Sequence, residues 1–563
     1  MSAKDLETLL GNPYDDANPV GYRAILDADE QREMSAEGEK LLDAWCLNAE
    51  FVPAAYGGRF TRADRLAGIL RTLWRRDAAL GSGYGFASFL ASVNVWTAST
   101  ADQRGSVADR LLANQRVAAA FHELDHGNDI AHTGCAASPA GSGWSLSGRK
   151  DVVANVRRAE TLVVLARTGP DAGRRSHSQF LVARDAVPAD RVRDLPRVGT
   201  SGMRGLQLGG IEFADCPIPA DAVIGDPGQG MEIALRAYQV TRAVLPAMAL
   251  GSLDTALRTA LDFAAERRLY GATVSELPYV RAVIARAHAD LLAVEAFSGV
   301  VVRGLHLVPE SMAAYAAAAK YLTSRMALDA VEDLRSVLGA SGYLRQGPYA
   351  IFQKVARDAA PATFVHISRT ACLITLLPQL PRLARKSWLT GPPAAPELFD
   401  LGADLPSLDF DALVAAMART DGLLGALVEI AELGDGALTA RFAMRFRDEL
   451  RVLRDECIAL APGDLTSGAG TAAFDLADRY TVLLAAASVL AVWRRGGPRY
   501  PDDLLPGVLD RLAARLRGPA LLTAGEREQA EYALFAAAGL RHGEHQLFDP
   551  TAQATPGGGK DTP

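Results

Sequence analysis

The sequence of 563 residues predicts a mainly α-helical protein with one small β-domain. Long segments carry apolar residues at spacings of three and four, the period of an amphipathic helix. Between about residues 118 and 225, short β-branched runs separated by turns replace that pattern. Because helical segments flank the strands and do not alternate with them, a doubly wound α/β sheet is disfavoured.

The first half of the chain divides into an N-terminal helical domain, residues 1–117, and a β-domain, residues 118–228. In the first, the apolar spacing predicts a helix over Arg62–Leu80. In the second, the short runs predict a small antiparallel sheet or barrel, with turns such as residues 138–143 between strands.

Residues 229–388 are predicted to form a four-helix bundle, because long helical segments follow one another with short connections. The four predicted helices are Met231–Leu261, Val280–Val302, Ser311–Ser336 and Ala350–Leu377.

An additional helical domain is predicted over residues 389–550, entered through a Gly/Pro-rich linker at Thr390–Asp400 and helical over Leu405–Leu540. The polar residues 551–563 are predicted to be a disordered tail.

Composition and charge exclude several classes of protein. A net charge of −7 argues against nucleic-acid binding. The longest apolar stretch, Thr481–Trp493, is shorter than the ~18–20 residues of a membrane span. The N-terminus lacks the basic and apolar regions of a secretion signal, so we expect a cytoplasmic protein.

Metal and common nucleotide motifs are also missing from the sequence. The five cysteines form no CxxC pair, which argues against zinc and disulfide frameworks. His122, His126 and His132 lack zinc-site spacing, so no metal site is expected. No GxGxxG follows a strand and no P-loop is present, so any nucleotide is held by another kind of site.

Several short motifs follow one another along the chain: Tyr56-Gly57-Gly58, Phe121–Asp129, Gly148–Asn155, Val198–Pro219, Glu266–Gly271, Leu338–Pro348 and Arg357-Asp358-Ala359. Their order resembles that of the acyl-CoA dehydrogenase superfamily over roughly residues 10–385. The resemblance implies an acyl-CoA dehydrogenase-like fold: an N-terminal helical domain, a β-barrel and a C-terminal four-helix bundle, with FAD bound between them. The helical domain beyond residue 388 is additional to that pattern.

The resemblance also implies which residues contact FAD and substrate. Matching positions for FAD are Phe121, His122, Gly127, Asn128, Val152, Ala154, Arg267, Tyr270, Ser336, Gly339, Ala340, Ser368 and Thr370. Thr241 and Arg242 match positions at the substrate, and Glu123 matches a loop residue that we interpret as structural. Many of these side chains differ from the family pattern, but backbone hydrogen bonds survive side-chain change.

The catalytic base departs most clearly from the family. Desaturation of an acyl thioester needs a base at Cα and a hydride acceptor at Cβ. The family places a glutamate at one of two positions, occupied here by His366 and Thr241. A threonine hydroxyl is no base at neutral pH, whereas an imidazole is. His366 is therefore the candidate base, and the alternative is a histidine that only fills the carboxylate's place.

Three functions remain open at this level. The first is a FAD-dependent enzyme acting on an acyl-CoA or acyl-carrier-protein substrate by α,β-oxidation or related chemistry, in specialised metabolism. The second is a flavin-dependent monooxygenase, which needs no Cα base. The third is a catalytically silent subunit of a mixed oligomer. The resemblance further implies an electron-accepting flavoprotein or O2 as oxidant, and a homodimer or homotetramer.

Overall fold

The computed structural model describes residues 2–169, 173, 175–434, 438–496 and 501–548, so the predicted tail at 551–563 lies outside it. All strands of the main sheet precede the helical bundle in the chain, and a further set of helices follows the bundle. The architecture confirms the predicted fold class of helices around a small sheet domain.

Seven helices form the N-terminal part: α1 Ala3–Leu10, α2 Tyr22–Glu30, α3 Ala36–Ala44, α4 Ala63–Arg76, α5 Ala78–Leu80, α6 Ala87–Ala98 and α7 Ala101–Leu112. The side chains of Ser2 and Thr100 cap α1 and α7 in capping boxes. The helix predicted over 62–80 is divided, because Asp77 adopts extended backbone and its side chain caps α5 at Ala79.

The main sheet contains β1 Val117–Ala120, β2 Ala136–Ala140, β3 Gly143–Ala154, β4 Thr161–Arg167, β5 His177–Ala183, β6 Val192–Leu195, β7 Leu208–Ile218 and β8 Val223–Ile224. The strand order is β6-β7-β3-β2-β4-β5-β8, with β1 beside β4. Most strand pairs are antiparallel, as in the predicted small antiparallel sheet or barrel, but β1 and the first residue of β2 pair with β4 in parallel. A crossover of some forty residues that contains β2 and β3 separates β1 from β4 and allows that pairing.

The bundle consists of α8 Gly230–Glu266, α9 Pro278–Leu307, α10 Met312–Leu338, α11 Ile351–Ala359, α12 Arg369–Leu376 and α13 Leu380–Lys386, with a small hairpin of β9 Arg268–Leu269 and β10 Ala272–Thr273 after α8. Helix α4 crosses α8 closely at Gly251. A Cβ there would lie 2.4 Å from the carbonyl oxygen of Arg71, so this crossing requires glycine.

The fourth predicted bundle helix, Ala350–Leu377, is interrupted. Helix α11 ends at Ala359, a short 3-10 turn with Pro361 follows, and α12 begins only after the capping side chain of Ser368. His366 has a φ of +67° within this break. A left-handed residue cannot continue an α-helix, and the break leaves the candidate base in a loop.

The additional domain contains α14 Gly422–Leu433, α15 Leu438–Ile458, α16 Thr471–Gly496, α17 Leu505–Ala513 and α18 Ala524–Gly543. The prediction of helix from Leu405 onward is wrong for residues 405–421, which run in irregular conformation along α8. The Arg236 side chain donates to the carbonyls of Phe410 and Leu413, and Gln239 donates to that of Val414 at 2.6 Å. Bonds to backbone carbonyls thus replace helix formation there.

Asp421 joins the additional domain to the bundle. Its buried carboxylate accepts hydrogen bonds from Tyr315 at 3.0 Å, Trp388 at 3.1 Å and Tyr480 at 2.8 Å. Burial raises the pKa of this carboxyl group. Three donors from separate segments of the chain therefore meet at one acid.

Among the described helices, α16 alone is long and apolar enough to cross a membrane, and 94% of its most apolar window is buried inside the protein. Such burial is typical of a core helix.

Candidate active site between the bundle and the β-domain loop

The contact between His366 and Thr241 defines the site. Nε2 of His366 lies 2.5 Å from Oγ1 of Thr241 on α8, and the Thr241 hydroxyl is 3.3 Å from the carbonyl oxygen of Ala237. If that hydroxyl donates to Ala237, it accepts from Nε2–H, which assigns the lone pair of the imidazole to Nδ1. Among the described residues, Nδ1 has no hydrogen-bond partner.

Two aromatic rings enclose the imidazole. Tyr238 presents its ring edge-on to His366 with centroids 4.7 Å apart, and Phe86 lies at 6.5 Å. Tyr238 is 2% exposed, and its hydroxyl oxygen has no partner in the described part of the chain. Burial raises the pKa of this phenol, so it is protonated and can donate.

The imidazole is held in its neutral form. Burial lowers the pKa of His366 well below its usual value, and the positive charges of Lys320 and Arg242, together with His122, lower it further. A neutral imidazole has a lone pair that can accept a proton, but the burial and the positive charges that keep His366 neutral also weaken it as a base.

Two buried cations lie beside His366. Arg242 places its guanidinium 5.2 Å from the centre of the Tyr238 ring. Lys320 is fully buried, donates to the carbonyl of Ala362, and has its pKa lowered to about 7 by burial. Cys372 is also near both cations, but burial raises the pKa of its thiol, so it brings no negative charge.

The β-domain loop after β1 reaches the same place. Nδ1 of His122 is 3.2 Å from the carbonyl oxygen of Gly127, and the Asn128 side chain accepts from the backbone N–H of Ser368 at 3.3 Å. Ser368 caps α12 through Ala371 N–H, which fixes the helix start beside the loop. Burial lowers the pKa of His122. The loop and the break between α11 and α12 thus meet.

Strand β3 contributes a strained residue to the loop. The β3–β7 register shifts between Lys150 and Val153, and Val152 has a φ of +48°. A β-branched residue in the left-handed region is an outlier that costs about 1–3 kcal/mol. Asp151 N–H donates to the carbonyl of His122 at 2.9 Å, so the bulge is tied to the loop.

Glu123 has a structural position. Its carboxylate accepts from Lys150 at 2.8 Å, from Gly134 N–H at 2.7 Å and from Thr133. Burial alone would raise its pKa, but the bonds from Lys150 and Thr133 lower the pKa to about 2. A carboxylate so fully bonded has no capacity for proton transfer at neutral pH.

The predicted site residues fall into two groups. His366, Thr241, Arg242, Phe121, His122, Gly127, Asn128, Val152, Ala154, Ser368 and Thr370 belong to the elements that meet at the loop. Arg267, Tyr270, Ser336, Gly339 and Ala340 are all exposed at the ends of the bundle helices. Among the described residues, no hydrogen bond, ion pair or ring contact joins the two groups.

Tyr238, Phe86 and Lys320 were absent from the residues that the sequence suggested. Tyr238 precedes Thr241 by three positions on one helix, so the sequence could have predicted that both side chains lie on the same helix face. Lys320 could have been identified as a candidate because it is the single charged residue in an Ala-rich segment. Phe86 carries no such signal.

No group of three or more His, Cys, Asp or Glu side chains able to hold a metal occurs in the described ranges. All five cysteines are unpaired, four of them buried and Cys46 exposed.

Comparison with known proteins matches two family models to this chain. Residues 118–216 match the acyl-CoA dehydrogenase middle domain, and residues 228–366 match the acyl-CoA dehydrogenase C-terminal domain. A probable acyl-CoA dehydrogenase, fadE25 of Mycobacterium leprae, is 27% identical over 343 residues, covering 59% of this chain and 84% of the relative.

Solved structures share the fold. An acyl-CoA dehydrogenase complexed with FAD from Bacillus anthracis superposes with a TM-score of 0.67 at 16% identity, covering 95% of this chain and 94% of that one. The prolyl acyl carrier protein oxidase AnaB has a TM-score of 0.58 at 19% identity, over 62% of this chain and 92% of its own. The extent of the first match includes the additional helical domain. The chain, as its motif order predicted, belongs to the acyl-CoA dehydrogenase superfamily.

Proposed function

We propose that the protein is a FAD-dependent oxidoreductase that oxidises the Cα–Cβ bond of an acyl thioester, with His366 as the base. The observation that carries this is the pairing of His366 Nε2 with Thr241, which leaves Nδ1 free to accept a proton. Thr241 then accepts from Nε2–H while the ring is charged, and holds its orientation.

The residues near the loop fit a flavin. Polar groups of His122, Asn128 and Ser368 suit the heteroatom edge of a tricyclic ring, and Val152 and Ala154 suit its apolar face. A Cβ at Gly127 would meet no atom within 4 Å, so this side of the loop is open. FAD, when bound, supplies the hydride acceptor. Phe121 and Thr370 would complete the contacts of the same group.

The acyl group is carried by CoA or by an acyl carrier protein. Support for a carrier protein is the fold likeness to an oxidase named for a prolyl carrier protein. Electrons would pass to a flavoprotein or to O2, and the substitution of both family glutamates favours a specialised metabolic role. The unpaired cysteines suit the reducing cytoplasm, where we place the reaction.

The exposed group of site residues supports an oligomer. Tyr270 is 93% exposed and Tyr343 is 79% exposed on neighbouring ends of the bundle, beside Arg267, Ser336, Gly339 and Ala340. Exposed aromatic side chains in one region are typical of an interface. We therefore propose a homodimer or homotetramer in which these residues complete the FAD site of a partner.

The test has two independent readouts. The purified chain, reconstituted with FAD, should show flavin absorption bands that bleach anaerobically on addition of acyl-CoA or acyl-carrier thioesters. Exchange of the substrate Cα proton with D2O should report base action separately from electron transfer.

His366→Ala should lower both rates by about 10²–10⁴-fold, His366→Glu should retain exchange, and His132→Ala, in an exposed histidine of the same loop, should change neither. Failure to bind FAD would refute the proposal. Oxygen uptake with a hydroxylated product would favour a monooxygenase, and activity only with a co-purified homologue would favour a silent subunit.

A further inference from the structure

A small cavity lies on the face of α8 next to the one that holds His366. Its volume is about 110 Å³, and its polar lining is Gln239, Arg242, Thr375 and Gln379. Met312 and Ala316 of α10 form an apolar wall. Residues 415–417 of the irregular segment form the opposite wall, so the additional domain is part of this cavity.

Arg242 brings a charge without a counter-ion to the cavity. It is 6% exposed and stacks on the Tyr238 ring, and its one hydrogen bond to a described residue, from Nη1 to Oγ1 of Thr375, is long at 3.5 Å. Its Nε is buried without a partner, and in the described ranges no carboxylate lies within 4.0 Å of the guanidinium. Buried arginines are ordinarily paired, because an isolated charge loses its hydration on burial.

The neighbouring groups do not neutralise this charge. Lys320 is basic, His366 is held in its neutral form, and the Cys372 thiol is protonated. The two positions at which the family resemblance places a glutamate, 241 and 366, hold a threonine and a histidine. The titratable groups that the described part of the chain places near the guanidinium, on Tyr238, Lys320, His366 and Cys372, are therefore neutral or positive.

Within the described ranges, the glutamine amides of the cavity leave an acceptor oxygen unpaired, and this atom cannot itself bind an anion. Gln239 Oε1 is buried with no partner among the residues described, while its amide donates to Val414. Gln379 is fixed by Ala418 N–H at 3.0 Å and by the carbonyl of Thr375 at 2.9 Å. These amides are held in place by backbone groups and orient the polar side of the cavity without supplying charge.

We propose that this cavity binds a carboxylate group, which forms the ion pair that Arg242 lacks. A planar guanidinium suits a carboxylate, and the volume suits a group of that size. The carboxylate comes from the distal end of the acyl substrate or from a small free acid. The first source rests on the proposed function, and the second does not.

Binding is tested first without turnover. Sodium acetate, succinate and glutarate are titrated into the purified full chain by calorimetry, with sodium chloride at matched ionic strength as reference. Wild type should bind at least one acid saturably, and Arg242→Met should weaken it by about tenfold or more. Arg335→Met, in a half-buried arginine on α10 paired with Glu332, should bind like wild type.

Thr375→Asp supplies the missing carboxylate from the protein itself. This variant should lose binding of the free acid and yet unfold at a higher temperature than wild type. Arg242→Met should not unfold at a lower temperature, because it removes an unpaired charge. Absence of saturable binding to wild type, or unchanged binding to Arg242→Met, would overturn the carboxylate site.

A second binding experiment identifies the source of the carboxylate. Thioesters that end in a carboxylate are compared with methyl-ended thioesters of equal length, by their binding to wild type and Arg242→Met. If wild type binds carboxylate-ended thioesters more tightly than methyl-ended ones and Arg242→Met does not, the bound carboxylate belongs to the acyl group. If the preference is the same in both proteins, the bound carboxylate is a free acid. Carboxylate binding by a chain that never bleaches a flavin would separate this inference from the proposed function.

Discussion

Thr241 Oγ1 and His366 Nε2 lie 2.5 Å apart, although 125 residues separate them in the chain. Each occupies one of the two positions at which the superfamily resemblance places a catalytic glutamate. The two positions therefore share one small volume, where the chain has one hydrogen-bonded pair and no carboxylate.

Thr241→Val tests this pair. Valine has the shape of threonine but leaves Nε2–H of the partly buried imidazole without an acceptor, which costs about 1–3 kcal/mol. We expect urea unfolding at pH 7 to show that loss. Thr241→Ser keeps the hydroxyl and should lose less, and equal stability of Thr241→Val and wild type would show that the bond contributes nothing.

Acid should weaken the contact between α9 and α18. His288 is fully buried, its Nδ1 is 2.9 Å from the carbonyl oxygen of Leu534, and burial lowers its pKa to about 4. The folded state therefore binds this proton less readily than the unfolded chain, whose histidine pKa is about 6.5. The stabilisation is complete above about pH 6.5 and declines as the pH falls to about 4, by up to about 3 kcal/mol.

Urea unfolding at a series of pH values measures this decline. His288→Gln should have a shallower dependence between those limits, whereas the exposed His132→Gln should keep the wild-type slope. Identical slopes for wild type and His288→Gln would contradict the assignment.

Asp421→Ala should loosen the additional domain. It leaves the hydroxyls of Tyr315 and Tyr480 and the indole N–H of Trp388 buried without an acceptor, at a cost of about 3 kcal/mol or more in the free energy of unfolding. Chemical denaturation and faster proteolysis near residue 421 would report it. Asp455→Ala, in an exposed acid, should stay within about 0.5 kcal/mol of wild type.

Lys354→Met should destabilise the junction between the N-terminal helices and the bundle. Lys354 is buried between Asp77 at 2.6 Å and Asp358 at 2.5 Å, and its removal leaves two buried carboxylates unpaired. We expect a loss of about 3–5 kcal/mol in urea unfolding. Lys40→Met breaks an exposed pair with Glu37 and should cost about 1 kcal/mol at most.

A variant that removes all three charges tests whether the loss comes from the unpaired carboxylates. Lys354→Met combined with Asp77→Asn and Asp358→Asn removes the charges together, so it should recover part of the lost stability. A triple variant less stable than Lys354→Met would show that the acids contribute mainly through their other bonds, such as Asp77 to Ala79 N–H and Asp358 to Met203 N–H.

The sequence alone determined the order of the architecture. Apolar spacing of three and four produces helices before and after the sheet, because each helix must bury one face, and the motif order indicated the superfamily. Long helices such as α8 and α10 could be predicted because the helical spacing of apolar residues continues over many turns.

Tertiary structure decided where the chain departs from its local pattern. The break at residues 360–368 and the irregular path of residues 405–421 depend on bonds to distant groups, which a local period does not encode. The lack of a counter-ion at Arg242 was likewise decided by tertiary structure, because folding determines which charged groups lie beside the guanidinium. Local sequence sets the helices, and distant contacts set the chemistry between them.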